Sequence, residues 1–75
     1  MMTIGEAMRK ARESKGYTRS QLSFKARISW QNIYQWEEGY SFPTIVNLIP
    51  IADALNVSLD ELVGRSIVEN NERNS

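Results

Sequence analysis

Seventy-five residues, 41% of them hydrophobic, suffice for one small domain with one core and are too apolar for a disordered chain. Cysteine and histidine are both absent, which excludes disulfide staples and thiolate or imidazole metal sites and makes a reducing cytoplasm the expected setting, with no cofactor implied. Nine Lys and Arg balance nine Asp and Glu; no apolar run approaches the roughly 20 residues of a membrane span, and no signal-peptide leader is expected.

The helices are written in their start signals. Thr3 with Glu6 has the spacing of a capping box, and Ile4, Ala7, Met8 and Ala11 repeat at i, i+3, i+4, i+7, so the first helix is expected over 4–14. Gly16 stops it. Thr18 with Gln21 opens a second helix over 19–26, with Leu22 and Ala26 facing inward and Tyr17 stapled to Leu22. Arg27 then falls where the turn requires a positive φ, at a cost of roughly 1 kcal/mol for a residue other than Gly. Ser29 caps a third helix over about 30–37, whose inward residues are Ile33 and Trp36 and whose stop is Gly39.

Thr44 is a further hydroxyl N-cap, for a fourth helix over 45–55 with Ile45, Leu48, Ile49 and Ala52, and Leu55 one turn on, as the expected inward stripe. Pro50 lies inside it, removes a hydrogen bond to the Val46 carbonyl and is expected to kink the axis. Asn56 is the stop. Ser58 with Glu61 opens a fifth helix over 59–64, stapled by Val57 and Leu62. No segment alternates long enough to argue a strand. The fold class is therefore all-α, with a compact domain over 1–64 and a polar tail over 65–75 that is expected to be disordered.

Charge is unevenly placed. Residues 1–36 hold seven Lys or Arg against two Glu, a net +5, and residues 37–75 hold two Arg against seven acids, a net −5. Such a dipolar chain can present its first half to phosphates and turn the second away, or simply solvate both sets on outer helix faces.

The ordered set Leu22-Ser23, Ile28-Ser29, Ile33, Trp36-Glu37, Gly39, Pro43 and Leu55 to Leu62 resembles the lambda repressor and Cro type of helix-turn-helix domain, the xenobiotic-response-element-like regulators of bacteria and phages. The likeness runs from about Ile4 to Gly64. It implies a compact five-helix DNA-binding domain in which helix two crosses the DNA backbone and helix three enters the major groove of double-stranded DNA, with a homodimer reading half-sites about 34 Å apart. By position, the resemblance makes Arg19 a phosphate contact and sets Ser29, Trp30, Gln31, Asn32 and Gln35 toward DNA, with Tyr34 beside them. It also pairs Glu37 with Arg12 as a structural brace. Three positions depart from the pattern: Arg27 stands where Gly is common, Ser23 where Ala is common, and the loop at Tyr40, Ser41 and Phe42 lacks the usual basic residues.

The residue chemistry fits that expectation. Gln31 and Gln35 lie one helical turn apart, and a side-chain amide pairs with adenine by accepting from N6 and donating to N7, so A·T pairs are the expected targets. Tyr34 and Tyr40 can donate phenol hydrogens to phosphate. Trp30 suits the rim of the core and the DNA groove equally, whereas Trp36, three residues after Ile33, belongs to the core. Phe24, Val46, Ile67 and Val68 are surplus to the core pattern, as scattered surface residues or as a dimer contact.

The leading function is a sequence-specific transcriptional regulator, a repressor by family habit. The alternative is an antitoxin-like or other protein-interaction module, motivated by the neutral net charge and the surplus apolar residues. An enzyme is the weakest reading, because no nucleophile and base can be paired without His or Cys.

Overall fold

The computed structural model describes residues 2–64, so the expected tail at 65–75, with Ile67 and Val68, lies outside the described residues. Helices α1 (Ile4–Ser14), α2 (Arg19–Ala26), α3 (Trp30–Glu38) and α4 (Ile45–Leu55) are followed by a helical stretch at 59–64, here α5, and no strand occurs among the described residues. The expected boundaries differ by one residue, at the end of α3.

Three short connectors share one design. In each, a residue in the left-handed conformation ends a helix, an apolar residue follows, and a hydroxyl residue caps the next helix: Gly16-Tyr17-Thr18, Arg27-Ile28-Ser29 and Asn56-Val57-Ser58. The left-handed residues have φ of 74°, 58° and 55°. In every case the apolar residue's N–H donates back five positions, Tyr17 to the Arg12 carbonyl, Ile28 to Ser23 and Val57 to Ala52, at 3.0–3.2 Å. This closes the helix end while the apolar side chain packs on the core. The capping boxes of Thr3, Thr18 and Ser58 are complete in both directions.

Thr44 departs from expectation. It sits at the N-cap of α4 with extended backbone, but its hydroxyl accepts no capping hydrogen bond.

Met8, Leu22, Ile33, Ile51 and Leu55 are fully buried and join Ala7, Ala26, Trp36, Leu48, Ala52 and Leu62 in a single core. Here α1 packs on α3, and α2 packs on both α3 and α4. The expected inward stripe of α4 is corrected. Its buried residues are Leu48, Ile51, Ala52 and Leu55, while Ile45 and Ile49 are 55% and 48% exposed. Both stripes obey helical spacing, because apolar residues occupy most of 45–55. Periodicity alone did not choose the face, and packing on α2 did. The helix is continuous through Pro50.

One close approach fixes α1 against α3. A Cβ on Gly5 would overlap the Trp36 carbonyl and lie 3.1 Å from the Glu37 Cα, so only glycine allows the two backbones to meet there. Substituting Gly5→Ala is therefore expected to destabilise the fold by about 1–3 kcal/mol through overpacking. Gly64→Ala, where no neighbour stands within 4 Å, is the control. Urea midpoints of the two variants check this, and equal stability would contradict the close-approach account.

Candidate nucleic-acid interface

The helix-turn-helix consists of α2, the connector at 27–29, and α3. Its turn is held by two bonds between the same two residues: the Ile28 N–H donates to the Ser23 carbonyl at 3.2 Å, and the Ser23 hydroxyl donates to the Ile28 carbonyl at 2.5 Å. Ser23, a departure from the common Ala, thus supplies a second clasp across a turn whose left-handed residue, Arg27, is not glycine. No spacing rule pointed to that role.

The inner face of α3 is Ile33, Trp36 and Glu37. Its outer face carries Gln31, Asn32 and Gln35, all exposed, with Ser29 exposed at the cap. The Ser29 Oγ accepts from the Asn32 N–H at 3.3 Å, so its own O–H remains able to donate. Beside the amides runs an aromatic row. Trp30, 50% exposed, meets Tyr34 edge-on at 6.4 Å between ring centroids, and Tyr34 meets Tyr40 at 6.1 Å. Trp30 is thus not part of the buried core. The proximity of Tyr40, with a hydrogen bond between the two phenols, raises the Tyr34 phenol pKa, and the phenol stays protonated.

Arg12 and Glu37 form a buried bidentate pair. Arg12 Nε donates to Glu37 Oε2 at 2.7 Å and Nη2 to Oε1 at 3.0 Å, while Nη1 donates to the Tyr17 carbonyl at 2.8 Å. Arg19 joins the cluster, donating from Nε to Glu37 Oε1 at 2.9 Å and from Nη2 to Glu38 Oε2 at 3.0 Å. Its guanidinium also lies 5.1 Å from the centre of the Tyr34 ring. Arg9 donates to Glu38 and approaches Glu37 Oε1 at 3.6 Å. Neither of these Arg19 bonds uses Nη1, which is the atom able to meet a phosphate.

This cluster revises the charge picture. Glu37 and Glu38, counted with the acidic half, sit on three arginines of the basic half. Through Glu38 the chain carries seven cations against four acids, a net +3 rather than the +5 read at residue 36. Arg9 and Glu38 were not singled out from the sequence. The three-residue spacing of Arg9 and Arg12 on one helix, opposite the adjacent Glu37 and Glu38, was the available signal.

A sequence pattern of the helix-turn-helix family matches residues 8–62. The chain belongs to the helix-turn-helix family of lambda repressor/Cro-type regulators. It is 37% identical over 71 residues to the cryptic phage CTXphi transcriptional repressor RstR of Vibrio cholerae, covering 95% of this chain and 63% of that protein. It is 31% identical over 67 residues to the HTH-type transcriptional regulator ImmR of Bacillus subtilis, covering 89% of this chain and 53% of that one. The chain therefore spans about half to two thirds of the length of these relatives. Among solved structures, the restriction-modification controller protein C.AhdI of Aeromonas hydrophila matches with a TM-score of 0.76 and 27% identity, over 79% of this chain and 89% of that one.

Desolvation alone would push the Glu37 carboxyl up, but hydrogen bonds and charge from Arg12 and Arg19 outweigh it and hold the group below the usual carboxylate range. Because folding lowers this pKa, the ionised carboxylate stabilises the fold above about pH 4.5, its ordinary value, and that stabilisation is lost as pH falls through the lowered value. Glu6, lowered mainly by its hydrogen bond from the Thr3 backbone, acts in the same sense. Glu37→Gln is expected to cost about 3 kcal/mol at neutral pH, a large share of what a domain this size has to lose. The gap from the parent should narrow below pH 4.5 in urea titrations. A gap independent of pH would exclude the carboxylate's charge as the cause.

Proposed function

We propose that this chain is a sequence-specific DNA-binding transcriptional regulator of the cytoplasm, a repressor that binds double-stranded DNA as a homodimer and has no catalytic role. The observation that carries the reading is the row of exposed amides, Gln31, Asn32 and Gln35, on a helix whose opposite face is locked by Ile33, Trp36 and Glu37. A rigid helix with free amides can exchange their hydration for paired bonds to base edges without first ordering a loop. The repressor assignment is supported by the name of RstR, and the regulator role by that of ImmR, relatives that share this part of their chains.

In this reading Gln31 and Gln35 read bases, with Asn32 beside them. Ser29, Tyr34 and Tyr40 donate to phosphates, Arg19 meets a phosphate through Nη1, and Trp30 packs its exposed edge on a sugar or a thymine methyl. Arg12 and Glu37 take no part in contact and hold α3 in place.

A protein-interaction module is the second reading, favoured by the 86% exposure of Phe24 on α2. Salt separates the two, since phosphate binding weakens steeply with salt through counterion release and an apolar protein contact does not.

Sites selected from random duplexes provide the test. On the selected duplex, Gln31→Ala should lower affinity by about 1–3 kcal/mol, and on unrelated duplexes it should leave binding unchanged. Equal loss on every sequence would remove Gln31 from base reading.

A further inference from the structure

The cluster at the end of α3 holds more acid than its bracing requires. Both oxygens of the buried Glu37 carboxylate are filled by Arg12 and Arg19, and that pairing alone ties α3 to α1 and α2. Glu38 adds a second carboxylate, on a side chain 33% exposed, whose Oε2 accepts from Arg9 Nη2 at 2.5 Å and from Arg19 Nη2 at 3.0 Å. This acid does not serve α3 locally. Glu38 is the last residue of the helix, where the negative end of the dipole disfavours an acid, and Gly39 makes the cap without it. Ion pairs this exposed also add little to stability.

Arg19 is where the second carboxylate has its effect. It is the first residue of α2, at the positive end of that helix, and its guanidinium lies over the ring of Tyr34 beside the amides of α3. In the DNA-binding reading it meets a phosphate through Nη1. A carboxylate and a phosphodiester are rival anions for one guanidinium fork. With Glu38 on Nη2, a phosphate on Nη1 stands roughly 6 Å from a like charge, which cancels part of the attraction.

We infer that Glu38 is an intramolecular competitor for the phosphate that Arg19 meets, and so sets how strongly the chain is drawn to DNA of any sequence. The inference rests on the DNA-binding reading above and gives Glu38 a role in it that touches no base. One acid holds two arginines, Arg9 and Arg19, that would otherwise attract every duplex, and background affinity stays low.

Binding of a random-sequence duplex of about 20 base pairs, from about 50 to 200 mM salt, tests this. Glu38→Gln keeps the side chain's shape and an acceptor oxygen for the arginines but removes the charge. At the lowest salt it should bind about three- to ten-fold more tightly than the parent, the effect of one charge at that distance near a protein surface. The gain should shrink as salt rises, with a salt slope steeper by up to about 0.9, the share of one phosphate. Glu38→Ala, which removes the oxygens as well, should also bind more tightly. Asp60→Asn makes the same change in net charge at an exposed position of α5 and should gain less than about two-fold. In an Arg19→Gln background, Glu38→Gln should likewise gain less than about two-fold, because the contested group is gone. Circular dichroism melts check that each variant folds.

A parent that binds while Glu38→Gln binds no more tightly overturns the inference and leaves the DNA-binding reading standing. Weaker binding by Glu38→Ala does the same, since Glu38 would then be holding Arg19 in position for the phosphate. An equal gain from Asp60→Asn, or an undiminished gain in the Arg19→Gln background, also overturns it. If neither the parent nor Glu38→Gln binds any duplex, the DNA-binding reading falls and the inference falls with it.

Discussion

The carboxylate of Glu37 is buried at the end of α3 and accepts from Arg12 of α1 and Arg19 of α2. Removing a carboxylate from water is costly, and the cost is met only when its lone pairs are filled in good geometry. Here the Arg12 fork fills both oxygens, and its third nitrogen reaches the Tyr17 carbonyl in the connector between α1 and α2. A single guanidinium thus ties the end of the first helix, the first connector and the third helix together. No buried side-chain polar atom among the described residues lacks a partner. Apolar packing permits helices to slide by part of a turn at modest cost, whereas a bidentate pair does not. The pair therefore fixes the orientation of α3 together with the core contacts of Ile33 and Trp36. Gly5, which brings the α1 backbone against the carbonyl of Trp36 next to Glu37, makes the short reach possible.

The connectors explain why so small a chain can hold five helices. Three are only three or four residues long, and in each the left-handed residue, the apolar residue and the hydroxyl cap all have work on both sides. The apolar residue closes the preceding helix and packs ahead of the following one, which spares the chain ordered residues that bury nothing. Arg27 is the strained member, and the Ser23 hydroxyl on the Ile28 carbonyl offsets the strain at that turn. The segment from Gly39 to Thr44 is longer, carries two exposed aromatics, and leads into a helix without a side-chain cap. Consistency between local signals and the fold is high in α1, α2 and α3 and falls away there.

What the sequence made legible follows the range of the forces involved. Capping boxes, left-handed stops and staples act within four or five residues, so helix positions could be read to within a residue. The inner faces of α1, α2 and α3 were legible because each has one apolar stripe at helical spacing among mostly polar residues, with Phe24 and Trp30 the exposed exceptions. The face of α4 was not, since apolar residues all round that helix leave the choice to its neighbours. The arginine and glutamate cluster was half legible. Arg12 with Glu37 came from the family resemblance, while Arg9, Arg19 and Glu38 join through contacts 18 to 29 positions apart that no local rule addresses.

The cluster also bears on how a near-neutral chain can select a DNA site. Three arginines near α3 share two glutamates, so much of the positive charge that would attract any duplex is spent inside the molecule. Nonspecific affinity scales with the phosphates neutralised, so a protein so arranged binds random DNA weakly. Under the proposed reading, discrimination then rests on uncharged donors and acceptors, the amides of Gln31, Asn32 and Gln35, whose worth depends on the base met. A single such helix offers only a few bonds. The proposed homodimer doubles those bonds, because the second half-site is then met at high effective concentration. In that reading, low charge and amide recognition are two parts of one arrangement, in which specificity rises because background attraction is kept small.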